Sequence, residues 1–145
     1  MMQSRDQFHT VLERGVSIVV PVYNGASTIG ELAERVAAAM GDDRAWELIF
    51  VVDGSPDLSW HTVEALVDRY PRVIGIDMYR NFGQHNALLA GVRAARYDVI
   101  VTMDDDLQHR PETIGALVDA LDDDVDLVFG VPIDEEHGIW RSSSS

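Results

Sequence analysis

The sequence predicts an α/β fold: a mostly parallel central sheet covered by helices, a three-layer sandwich. Two observations carry this. Five short, β-branched apolar runs, VSIVVPV (16–22), ELIFVV (47–52), VIGIDMY (73–79), DVIVTM (98–103) and DLVFGV (126–131), are bounded by polar residues or Gly, as buried strands are. Between them lie stretches with helical spacing: 27–40 with Ile29, Leu32, Val36 and Ala39, 58–69 with Val63, Leu66 and Val67, then 84–96 and 111–122.

The helix starts have their own signals. Ser27 with Glu31 nearby opens the first. The Gly83 turn precedes QHNALLAGVRAA, and Pro111 followed by Glu112 occupies a first-turn position.

The 145 residues suffice for one core, so the expectation is a single domain over 1–145 with flexible ends at 1–14 and 142–145. A net charge of -14 argues against nucleic-acid binding, which needs clustered Lys and Arg. An anionic ligand would have to be met by a cation, a local Arg or backbone N–H groups. With no cysteine, disulfides and thiolate metal sites are excluded. The start MMQSRDQFHT lacks a signal-peptide core, and no run approaches the roughly 20 apolar residues of a spanning helix. The expectation is a soluble, cytoplasmic chain.

In open α/β sheets, ligands gather outside the carboxyl ends of the strands. PVYNG (21–25), DGSPD (53–57), YRNFGQ (79–84) and DDDLQ (104–108) all fall there. Three adjacent carboxylates repel one another unless a cation, a helix end or water relieves them. Asp104, Asp106 and Gln108, at alternate positions after a buried strand, are candidate oxygen ligands for one hard cation, Mg²⁺ or Mn²⁺; the alternative is a solvated acidic loop.

The other segments each admit two readings. Pro21 cannot donate to a ladder, and Tyr23 with Asn24 suits a nucleobase and ribose, or else Asn24 and Gly25 form a plain turn. Asp53 is placed to accept hydrogen bonds from a base or sugar, or else DGSPD is a turn before a helix. Arg80 either meets a diphosphate or pairs with a neighbouring Asp. His85 and Asn86 pack or cap, since no second His lies at ligand spacing. DALDDDVD (119–126) reads as a hydrated helix end.

Taken in order, VSIVVPVYNGASTIGEL, ELIFVVDGSPD, YRNFGQHNALLAGVRAARYDVIVTMDDDLQHRPE and DLVFGVP resemble the family 2 glycosyltransferases, most of all the branch of dolichyl- and polyprenyl-phosphate sugar synthases. The resemblance spans about 15–141, with RNFGQ and DDDLQ its most specific pair. It implies a glycosyltransferase A-type, Rossmann-like fold, an inverting transfer from a nucleoside diphosphate sugar and a divalent metal. By that analogy Asp104 and Asp106 act catalytically through the metal, with Gln108 as a further ligand, while Pro21, Tyr23, Asn24, Asp53, Arg80 and Asp105 belong to the nucleotide-sugar pocket. Arg141 and Ser145 match a pair that contacts a lipid-phosphate acceptor at a membrane surface, which implies the cytoplasmic face. The family commonly has two polar residues before GS, where this chain has Val52 and Asp53.

Members of that branch continue beyond this length, so the expectation is a fold truncated at its C-terminus, with an open sheet edge that favours a homo-oligomer. Two rival functions remain. One is a non-catalytic nucleotide- or partner-binding remnant of such an enzyme. The other is a phospho-acceptor domain, disfavoured because no Lys ends the last strand.

Overall fold

The computed structural model describes residues 15–121, 127–129 and 141–143, the last two stretches as backbone only. Four strands, β1 (Val16–Val22), β2 (Trp46–Asp53), β3 (Val73–Met78) and β4 (Val99–Thr102), form one sheet in the order β3-β2-β1-β4, every pair parallel. Helices α1 (Ile29–Met40), α2 (Ser59–Arg69) and α3 (Gln84–Ala94) provide the crossovers. A 3-10 turn at Pro111–Thr113 leads into α4 (Ile114–Asp119).

Strand position explains strand composition. Every residue of β1 and β2 is buried, so these central strands are apolar on both faces. On one face Ile18, Val20, Leu48 and Phe50 pack with Leu32 and Val36 of α1, Val63 of α2 and Ile114 of α4. On the other, Val19, Ile49 and Val51 pack with Ala87 of α3. The alternation along each strand therefore divides the side chains between two helical layers. Val52 belongs to the first core and is 1% exposed, so the residue before Asp53 closes the core instead of facing the ligand edge.

The polar residues inside this sheet are bonded to one another. Glu47, 4% exposed on β2, accepts a hydrogen bond from Ser17 Oγ at 2.7 Å and another from the Arg96 N–H at 2.6 Å. Ser17 Oγ in turn accepts the Tyr97 N–H at 3.1 Å. The buried carboxylate thus holds the turn between α3 and β4 against the amino end of the sheet.

Two expectations need correction. The run at 126–131 does not join the parallel sheet: β5 (Leu127–Phe129) pairs antiparallel with β6 (Arg141–Ser143) in a separate ladder. Ser142 and Ser143 are the residues of β6 that pair with Val128 and Leu127. Backbone pairing needs only N–H and C=O groups, and side-chain hydropathy gave no sign of it. Lastly, the N-cap position of the first helix is Thr28, not Ser27, and its side chain makes no capping bond; Thr28 Oγ1 donates instead to the carbonyls of Gly25 and Asp105. Residues 1–14 and Ser145 lie outside the described residues.

Helix α3 lies close to the sheet because Gly91 has no side chain. A Cβ there would come within 2.3 Å of Val19 Cγ1 and 3.2 Å of Val51 Cγ2. Gly91→Ala should therefore destabilise the fold by about 1–3 kcal/mol, read as a lowered denaturant midpoint at unchanged slope.

Candidate functional site

The four carboxyl-end loops meet above β1 and β2. The loop after β1 turns at Asn24, whose φ of 53° is left-handed. Its four successive N–H groups each find a side-chain acceptor on a neighbouring loop: Tyr23 on Asp105 Oδ2 at 3.0 Å, Asn24 on Ser55 Oγ at 2.8 Å, Gly25 on Ser59 Oγ at 3.1 Å and Ala26 on Asp57 Oδ2 at 3.2 Å. With these amides engaged, the loop is no anion cradle of the kind glycine-rich loops make.

Asp57 is the hub of the DGSPD segment. Its Oδ1 accepts the Ser55 and Ser59 hydroxyls and the Ser59 N–H. Burial works to raise its pKa, but the hydrogen bonds from Ser55, Ser59 and Ala26 outweigh it and hold the carboxyl at about 2. Asp53, 4% exposed, accepts the Phe82 N–H on Oδ1 at 2.8 Å and so fastens the RNFGQ loop. The two loops touch at Gly54, where φ is 61° and a Cβ would lie 2.2 Å from the Asn81 nitrogen. Only glycine fits there.

The acidic loop is shaped by its apolar member. Leu107 takes a left-handed φ of 64° and packs its side chain against the core. That reversal lets Asp106 Oδ1 accept the Gln108 N–H at 3.1 Å and His109 Nδ1 accept the Asp104 N–H at 3.2 Å. Asp104 Oδ1 is 3.3 Å from Gln84 Nε2. Burial pushes the Asp105 carboxyl above the usual range; the Tyr23 amide opposes this, while the charges of Asp106 and Asp104 add to it. Beyond the loop, Arg35 of α1 grips Glu112 with two bonds, at 3.1 and 2.9 Å.

Between these loops opens a cavity of about 510 Å³. Pro21, Tyr23, Asp53, Asp104, Asp105 and Asp106 all line it, with Val22, Asn81, Gly83 and Gln84. It has four carboxylates and no Lys or Arg. Among the described residues, no three His, Asp or Glu side chains converge into a metal cage. The donors are nevertheless all hard oxygens, which fits a cation that keeps few protein ligands and completes its shell with water or phosphate.

Other expected site residues lie elsewhere. Asn24 serves the turn, its N–H on Ser55 Oγ. Gln108 is outside the cavity lining, as is Arg80, whose guanidinium sits 5.6 Å from the Tyr79 ring centre and 4.7 Å from that of Phe82. Arg80 forms no ion pair among the described residues. Asn86 Nδ2 donates to the Phe82 carbonyl at 2.7 Å, which ties the first turn of α3 to the RNFGQ loop without capping the helix. Asp119, read as merely hydrated, lies 3.6 Å from Arg44. The Arg141 side chain and Ser145 fall outside the described residues. Asn81 and Gln84 were missed; the available signal was uncharged amides at a strand's carboxyl end.

The depressed pKa of Asp57 has a sign. Its carboxyl is about 2 when folded against about 3.9 unfolded, so its stabilisation is present above pH 4 and is lost as pH falls toward 2. In Asp57→Asn, denaturant titrations should show about 1 kcal/mol or less of lost stability at neutral pH, after allowing for solvent screening, and a flatter acid limb between pH 4 and 2.

Residues 17–144 match Glycosyl transferase family 2. An undecaprenyl-phosphate 4-deoxy-4-formamido-L-arabinose transferase from Pseudomonas aeruginosa is 38% identical over 128 residues, covering 87% of this chain and 38% of its own. The enzyme of that name from Pectobacterium atrosepticum is 38% identical over 134 residues, covering 91% and 41%. The chain thus spans about two-fifths of the length of these relatives. Among solved structures, the mannosyltransferase PcManGT from Pyrobaculum calidifontis, in complex with GDP-Man and Mn²⁺, superposes with a TM-score of 0.67 at 23% identity, over 78% of this chain and 34% of its own. Glucosyl-3-phosphoglycerate synthase from Mycobacterium tuberculosis, with Mn²⁺ and UDP, gives 0.59 at 23% identity, over 72% and 38%. The four-stranded parallel sheet with its helices is the glycosyltransferase A-type fold, and with a match running from β1 to the second ladder, the chain belongs to glycosyl transferase family 2.

Proposed function

We propose that this chain forms the nucleotide-sugar-binding part of a divalent-metal-dependent, inverting glycosyltransferase that moves a sugar from a nucleoside diphosphate sugar to a polyprenyl phosphate. The observation that carries the proposal is the charge of the cavity. Asp53, Asp104, Asp105 and Asp106 line it without a Lys or Arg, and the amides of Tyr23 to Ala26 are already bonded. A diphosphate would be repelled from such a place unless a cation came with it.

Asp104 and Asp106, which line the cavity, would hold Mg²⁺ or Mn²⁺; Gln108, two residues on but outside the lining, would have to turn inward to act as a further ligand. When bound, the cation supplies neutralisation of the charge that builds on the departing nucleoside diphosphate. The other side chains bind and orient. Pro21 and Tyr23 offer an apolar wall to the base, Asp53 an acceptor, and the Asn81 and Gln84 amides donors to sugar hydroxyls or phosphate oxygens. Asp105 holds the Tyr23 wall in place through its N–H.

Inversion follows from a single displacement, in which the acceptor oxygen attacks the anomeric carbon from the face opposite the departing diphosphate. A phosphate oxygen is already anionic, so this chain need not supply a general base. The acceptor assignment is supported by the undecaprenyl-phosphate relatives. Arg141 and Ser145 are its proposed phosphate contacts, at the cytoplasmic face of a membrane. No helix among the described residues is long and apolar enough to cross one.

Calorimetry with UDP or GDP tests the reading. Binding should require Mn²⁺ or Mg²⁺, vanish in chelator, and weaken about 10-fold or more in Asp104→Asn and Asp106→Asn. Equal nucleotide affinity with and without metal would contradict it. Metal-dependent binding without turnover of a labelled sugar nucleotide would instead favour a non-catalytic module.

A further inference from the structure

His109 has a geometry that the family reading leaves unexplained. It follows the acidic triplet, and its side chain is 23% exposed. Its ring turns back so that Nδ1 accepts the Asp104 N–H at 3.2 Å. A nitrogen that accepts carries no proton, so the ring hydrogen belongs on Nε2. Nε2 lies 3.9 Å from Asp104 Oδ2, too long for a hydrogen bond. Gln84 Nε2 approaches Asp104 Oδ1, so the carboxylate sits between an imidazole and an amide.

We propose that His109 is a positioning residue. By holding the Asp104 main-chain N–H it closes the loop around Leu107 and directs the Asp104 carboxylate into the cavity, which sets the affinity of the site for its cation. A side chain of the same volume without an acceptor fills the space but leaves the Asp104 amide unpaired and the carboxylate free to turn. Only the last consequence, cation affinity, rests on the metal-dependent reading above; the clamp itself is a property of the metal-free chain.

Two variants and the wild-type chain test this. Asn places an amide oxygen near the position of Nδ1 and can keep the bond, whereas Phe keeps the ring and loses it. In metal-free protein, amide hydrogen exchange at Asp104 should rise about 10-fold or more in His109→Phe and stay near wild type in His109→Asn, with exchange in β1 unchanged. Mn²⁺ affinity measured with GDP or UDP present should fall about 10-fold or more in His109→Phe and recover to within about 3-fold in His109→Asn.

In the unmodified chain, ¹⁵N chemical shifts of the His109 ring should show a bare Nδ1 and a protonated Nε2. The opposite tautomer, or a His109→Phe chain with full Asp104 protection and full Mn²⁺ affinity, would overturn the proposal, as would equal losses in the two variants. If wild-type protein bound no Mn²⁺, the metal reading would fail on its own, and the exchange and ¹⁵N results would still decide the clamp.

Discussion

The bond from the Tyr23 N–H to the Asp105 carboxylate, 82 residues apart in sequence, is the contact on which the ligand edge depends. It joins the loop after β1 to the loop after β4, and Thr28 reinforces it by donating to the Asp105 carbonyl. Gly25 allows the approach, since a Cβ there would stand 2.7 Å from Asp105 Oδ2. The middle carboxylate of the triplet is thereby committed to structure. Its neighbours Asp104 and Asp106 are left facing the cavity.

The same economy runs through the other loops, where acidic side chains serve as connectors. Asp57 and its serines bind the first two loops together, and Asp53 binds the second to the third. Backbone donors that other nucleotide-binding sheets present to phosphate are consumed internally here. The resulting cavity is lined by four carboxylates and by no Lys or Arg, so on the proposed reading a diphosphate would need a cation to enter it.

Much of this was legible in the sequence. The central strands are apolar on both faces, so composition alone located them, and strand order placed four polar loops on one edge. The β5–β6 ladder was not legible, because its pairing uses backbone groups and Ser142 has no hydropathy signature. Arg80 drew attention as an isolated cation, yet its planar guanidinium found Tyr79 and Phe82, whereas the uncharged Asn81 and Gln84 reached the cavity. Turn residues likewise conceal their partners: DGSPD announces a turn, but nothing in its spacing shows that Ser55, Asp57 and Ser59 take up the amides of a loop about 30 residues earlier.

The central claim is that Asp104 and Asp106 share a cation with an incoming diphosphate. Anomalous diffraction at the manganese edge, from crystals grown with Mn²⁺ and GDP or UDP, addresses it most directly. One strong peak is expected within coordination distance of both carboxylates and of diphosphate oxygens. A diphosphate bound in the cavity with no peak beside these residues, or a peak held by other side chains, would contradict it.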